Sequence, residues 1–147
     1  LGDGLNAGLE EIMEDYSGTP AAARAAFELG IMHRDAAEFD VAVEAFKQAG
    51  FSDDVFGPLT DANIGDCLVE LGDLEGAEGH FASAASAAAG GLAAKALSPM
   101  CSYKRALVLL ELGENDKARN VLQDLSEDFP NSTYASNATG LAASLAR

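Results

Sequence analysis

The sequence predicts an all-α protein, a solenoid of about eight antiparallel helices closed by a C-terminal capping helix. Three observations predict it. A pattern of small and apolar residues recurs along the chain at a nearly constant step. Hydrophobic residues make up 48% of the 147, yet Trp is absent, aromatics are 7%, and alanine supplies much of the apolar count. Side chains that small let helices approach closely, whereas a sheet needs Val, Ile and aromatic residues on its faces. Finally, prolines and glycines fall where helices would begin and turn.

Taken in order, the first expected helix covers 3–16. Its Leu9-Glu10-Glu11-Ile12-Met13-Glu14-Asp15-Tyr16 reads like Leu122-Gln123-Asp124-Leu125-Ser126-Glu127-Asp128-Phe129 near the other end. It is therefore expected to be the second helix of a repeat whose first helix lies upstream of Leu1. Helices at 20–36, 58–71 and 98–112 are each expected to open on a proline, after Thr19, Gly57 and Ser98, where a missing N–H costs nothing. Their partners are expected at 39–49, 74–88 and 115–128, the last stopped by Pro130. Gly72 and Gly113 fall at the turns inside hairpins, where a left-handed backbone is wanted. A longer connection near Gly90-Gly91 is expected to absorb extra residues. A capping helix at 132–145 follows Asn131 and Ser132.

The repeat itself is explicit. Leu29-Gly30, Phe39, Ala42, Phe46 and Ala49 recur 35 residues later as Ile64-Gly65, Leu74, Ala77, Phe81 and Ala84. A further step of 41 takes Gly72 to Gly113 and Ala77 to Ala118, with Arg105-Ala106, Leu122, Leu125 and Pro130 completing the third copy. Gly30, Gly65 and Ala106 are expected where one helix leans on its neighbour, and Phe46 and Phe81 between successive hairpins. The chain then divides as one domain, 1–147: a partial repeat 1–18, repeats 19–56, 57–91 and 98–130, and a cap 131–147.

These residues resemble the tetratricopeptide-repeat (TPR) family: a small residue, then Gly or Ala, then Ala-x-x-x-Phe-x-x-Ala, with Leu71-Gly72-Asp73 and Leu112-Gly113-Glu114 closing first helices. The resemblance implies a right-handed α-solenoid whose first helices line a concave groove that binds a protein or peptide. It maps Arg24, Phe27, Ile31 and Arg34, then Ala62, Asp66 and Glu70, then Tyr103, Leu107 and Leu110 to that groove. The Lys, Asn and Arg of a chaperone-type carboxylate clamp are not at these positions. Feature order adds a looser likeness. Asp15-Tyr16-Ser17-Gly18-Thr19-Pro20 comes first, then the loop Gly50-Phe51-Ser52-Asp53-Asp54-Val55, then Asp61-Ala62-Asn63-Ile64-Gly65-Asp66, and finally Phe129-Pro130-Asn131-Ser132-Thr133. That order is similar to the periplasmic TPR domain of bacterial membrane-anchored, ancillary Sec-translocon-subunit proteins. The likeness implies a periplasmic or envelope location near a membrane complex and an anchor upstream; the alternative is cytoplasmic.

Charge and motifs set the function classes. With 24 acidic and 9 basic residues the formal net charge is −15, which repels phosphate backbones and argues against nucleic-acid partners. An acidic exterior of this kind keeps the protein solvated and also suits a saline habitat. No run is long enough to span a bilayer, so no direct membrane insertion by this segment is expected. No nucleophile–base pair, phosphate loop, zinc motif or calcium loop appears, and the chain reads as non-catalytic, without cofactor or metal. His33 is expected to be packed, His80 on the surface, and Cys67 and Cys101 to be small core fillers, with a disulfide between them left open. The expected function is an interaction scaffold or adaptor. The alternative is a permanent structural subunit or a self-assembling protein, with oligomeric state open.

Overall fold

Each helix begins and ends for local reasons. The computed structural model describes residues 2–88, 90 and 93–146. The chain forms α1 Gly2–Asp15, α2 Pro20–Asp35, α3 Phe39–Ala49, α4 Phe56–Leu71, α5 Leu74–Ala88, α6 Ala94–Glu111, α7 Asn115–Asp128 and α8 Ala135–Leu145. These are the eight helices among the described residues, which contain no strand. Leu1, Gly91 and Arg147 lie outside them, so the expected connection at Gly90-Gly91 and the outermost repeat boundaries are only partly covered. Thr19 caps α2 by accepting a hydrogen bond from the Ala22 amide, and Pro20 takes the first turn.

Two of the expected helix openings are corrected. Helix α4 starts at Phe56, so Pro58 sits inside its first turn; Asp53 Oδ1 accepts the Val55 and Phe56 amides at 2.9 and 2.7 Å and starts the helix. Those two hydrogen bonds hold the Asp53 carboxyl below its ordinary pKa. Helix α6 starts at Ala94, and Pro99 lies within it. Ala94, Lys95, Ala96 and Leu97 are good helix formers, and Pro99 removes one backbone bond, so the helix runs back through it. The extra residues between the second and third repeats are partly spent on this 18-residue helix. The cap is also shorter than expected: α8 opens after Tyr134, without a side-chain cap from Asn131 or Ser132.

All three hairpin turns close in the same way. Ala37, Gly72 and Gly113 have φ of 60°, 80° and 78°. In each, the amide of this residue bonds the carbonyl three back, and the next amide bonds the carbonyl five back. That is the Schellman closure, and it requires a left-handed residue. Glycine meets the requirement twice; the first repeat uses alanine, at a cost of about 1 kcal/mol.

Every helix packs on its chain neighbours, and beyond these only α4 against α6 makes a substantial contact. That nearest-neighbour pattern is a solenoid. Its core is a recurring interlock. Phe46 on α3 is fully buried between Gly30 of α2 and Ile64 of α4, and Phe81 on α5 between Gly65 of α4 and Val108 of α6. A Cβ placed on Gly30 would meet the Phe46 ring at 2.5 Å, and one on Gly65 the Phe81 ring at 2.7 Å. In the third hairpin both partners change together: Ala106 faces the smaller Leu122, which also packs towards Ala138 and Ala142 of α8. Volume is conserved while the pair is not.

The two cysteines fill the same core. Both are buried and unbonded, Cys67 with Phe46 and Ile64, Cys101 with Ala62 and Ala84. Desolvation raises both thiol pKa values, that of Cys101 to about 11.

Candidate functional site

The first helices α2, α4 and α6 stand side by side, and cations on them reach across repeats. Arg34 donates from Nη1 to Asn63 Oδ1, while Asn63 Nδ2 donates to the Leu59 carbonyl at 2.8 Å. Lys104 donates to both Asp66 oxygens at 2.7 Å and lies 5.8 Å above the Phe81 ring. Arg105 reaches the other way, to Glu78 of α5 at 2.6 Å. These contacts tie neighbouring hairpins beyond what apolar packing provides.

Between α2, α4 and α6, towards their C-terminal ends, lies an open cleft of about 350 Å³. Phe39, Val69, Phe81, Leu107 and Val108 give it an apolar lining, and Leu107 keeps 41% of its surface exposed. Arg34, Asp66, Glu70, Lys104 and Glu111 form its polar edge. Of the expected groove residues, the fold thus brings Arg34, Asp66, Glu70 and Leu107 together. Asp66 does not present a bare charge, because Lys104 covers it.

The other expected residues go elsewhere. Phe27 is half-buried, with its ring 5.6 Å from Phe46, 6.0 Å from Phe51 and 5.9 Å from Phe56. Ile31 packs on the same core. Tyr103 lies against Tyr134 at 5.5 Å, away from the cleft lining. Arg24 is exposed and outside the cleft. Ala62 is buried among Ala84 and Cys101, so it faces inward rather than towards a groove. Lys104 and Glu111 were not anticipated. Glu111 had a signal, since it stands 41 residues after Glu70, the step that links the second and third repeats.

Both histidines pair with carboxylates. His33 Nδ1 meets Glu38 at 2.5 Å across the first turn. His80 is half-buried, not a free surface residue: its Nδ1 lies 2.9 Å from Asp61 Oδ1, and Ser83 Oγ donates to Asp61 Oδ2 at 3.0 Å. Ser83 therefore bonds the carboxylate rather than the imidazole. The trio fastens α5 to α4 and does not align a hydroxyl with a base.

Among the described residues no helix is long and apolar enough to cross a membrane. No curated protein matches the chain. Residues 101–132, which take in most of α6, all of α7 and the turn beyond, match the family model described as tetratricopeptide repeat, and this supports the tetratricopeptide-repeat family for the array.

Proposed function

We propose that the chain is a non-catalytic interaction module that holds a peptide or a segment of a partner protein in the α2–α4–α6 cleft. The observation that carries this is the cleft's construction. It lies on first helices of three successive hairpins, its lining is apolar with Leu107 exposed at the lip, and two cross-repeat contacts stiffen it. Covering such exposed apolar surface inside a polar rim is the usual construction of an interface core and supplies binding energy in proportion to the apolar area buried. Pre-formed walls also reduce the entropy lost on docking.

The test is the affinity of a partner recovered by pull-down from native membranes and identified by mass spectrometry. Leu107→Ser weakens binding at least about tenfold, or about 1.4 kcal/mol. Glu44→Ala, on the second-helix face, leaves it unchanged. Normal binding by Leu107→Ser, with loss on deleting α8, overturns the cleft reading. We also assign the module to the bacterial envelope, in the periplasm beside a membrane complex, on the likeness of its loop order to ancillary translocon subunits. Fractionation of the tagged full-length protein tests this, and recovery wholly in the cytoplasm refutes it.

A second reading has its own observation. From Gly4 onward helix α1 buries no residue fully; Leu5 on it and Tyr16 just beyond its end are each 57% exposed, with Ile12 also exposed between them. A face of that kind suits a permanent assembly surface. Gel filtration with solution scattering separates the two readings. A monomer at low micromolar concentration favours the adaptor, and a stable dimer or filament favours the structural subunit.

A further inference from the structure

The edge of the cleft carries a charge pattern tied to the repeat. Asp35, Glu70 and Glu111 occupy one equivalent position, each two residues before the left-handed turn residue of its hairpin. Asp35 is satisfied by Arg34, which donates from Nε at 3.0 Å and Nη2 at 2.8 Å. Asp66, the other carboxylate at the cleft, is satisfied by Lys104. Glu70 and Glu111 are exposed and make no ion pair or hydrogen bond among the described residues. Both basic residues lining the cleft are therefore engaged, and the two uncompensated charges are negative.

Their placement strengthens the pattern. Glu70 and Glu111 stand in the last turns of α4 and α6, where unpaired backbone carbonyls also favour a positive charge. Between them lies the apolar lining of Val69, Leu107 and Val108. Packed helices stand about 10 Å apart, and an extended chain advances about 3.3 Å per residue. Two cations reaching Glu70 and Glu111 from one extended strand would thus be about three residues apart.

Resting on the docking reading above, we propose that the occupant is an extended polypeptide segment with Lys or Arg side chains about three residues apart and an apolar side chain between them. The cations pair with Glu70 and Glu111, and the apolar side chain enters beside Leu107. Acidic segments are rejected twice, by these two carboxylates and by the net charge of −15.

The experiment selects binders from a displayed library of randomised short peptides on the folded protein. The selected peptides are then titrated by fluorescence anisotropy against wild type, Leu107→Ser and the double variant Glu70→Gln/Glu111→Gln. Circular dichroism verifies that each variant is folded. The expected result is enrichment of Lys or Arg at a spacing of about three, with affinity falling as salt rises. The double glutamine variant should bind at least about fivefold more weakly and show a shallower salt dependence than wild type, the remainder coming from the net charge. Peptides that need Leu107 but lack basic residues and ignore the glutamine changes overturn this inference and leave the docking reading standing. If no selected peptide depends on Leu107, both fall.

Discussion

Replacing Gly65 by alanine puts a methyl group into occupied space. The new Cβ would lie 2.7 Å from one atom of the Phe81 ring and 2.9 Å from two others. Ordinary carbon contacts need more than 3.4 Å, and the ring has little room to retreat because Phe81 is 1% exposed, in a core with Ala77 and Val108. Overpacking of this kind costs about 1–3 kcal/mol. Alanine returns up to about 1 kcal/mol of helix propensity. With three contacts short at once, the upper end applies, and a net loss of about 2 kcal/mol follows. The third hairpin indicates the remedy, since it pairs Ala106 with Leu122. Adding Phe81→Leu to Gly65→Ala should therefore bring the double variant to at least the stability of Phe81→Leu alone. The assay is a denaturant melt of all four proteins followed by far-ultraviolet circular dichroism, analysed as a double-mutant cycle. A coupling of about 2 kcal/mol in the favourable direction is expected. A neutral Gly65→Ala, or single effects that add within about 0.5 kcal/mol, would falsify the interlock.

Three further outcomes are expected. Phe46→Ala and Phe81→Ala should each cost about 3–5 kcal/mol in the same melts, while Phe27→Ala, which is half-buried among three rings, should cost about 2 kcal/mol; a larger loss at Phe27 would reverse the assignment of helix faces. Ala37→Gly should raise stability by up to about 0.5 kcal/mol, because removing a left-handed penalty of about 1 kcal/mol outweighs the chain entropy it concedes; a loss of about 0.5 kcal/mol or more shows that Ala37 is unstrained. The Cys101 thiol is held protonated by burial, with its pKa moved from 9.0 to about 11. A raised folded pKa gives stability that is complete below pH 9 and is lost as pH climbs through 11. Denaturant midpoints at pH 8 and pH 11 should therefore fall more for wild type than for Cys101→Ala, and equal falls would refute it.

The array was readable because its constraints are local or repeated. A small residue and a large one sixteen positions later must touch in every hairpin, so Gly30 with Phe46 and Gly65 with Phe81 appear as a fixed spacing. Turn residues are legible for a similar reason, since Gly72 and Gly113 answer a backbone demand. The exception at Ala37 shows that side-chain identity can hide a turn that the hydrogen bonds still make. Helix starts were less legible. Proline marks a tolerated position rather than an obligatory one, so Pro99 ended up inside α6. The cleft was half visible: counting along first helices found Glu70 and Leu107. The partners of Asp66 and Asn63 lie 38 and 29 residues away, and which long side chain reaches which acceptor depends on helix rotation. Rotation also decided Ala62 and Tyr103, which one register places in the groove and the packed structure turns towards the core and Tyr134.

The change from a Gly–Phe pair to an Ala–Leu pair has a bearing on assembly of the chain during folding. Arrays of similar hairpins risk pairing the wrong helices, because each offers its neighbours nearly the same surface. Here α7 in the place of α5 beside α4 would leave a void where Leu122 meets Gly65, and α5 in the place of α7, with Phe81 turned to Ala106 of α6, would drive the ring into the Ala106 methyl. The lock of the last hairpin thus fits its own key and refuses that of the others, at no expense in buried volume when each is matched. Helices α2 to α5, which share one key, remain interchangeable by this criterion. Misregistered chains should therefore exchange partners within the N-terminal half and keep α6 and α7 together.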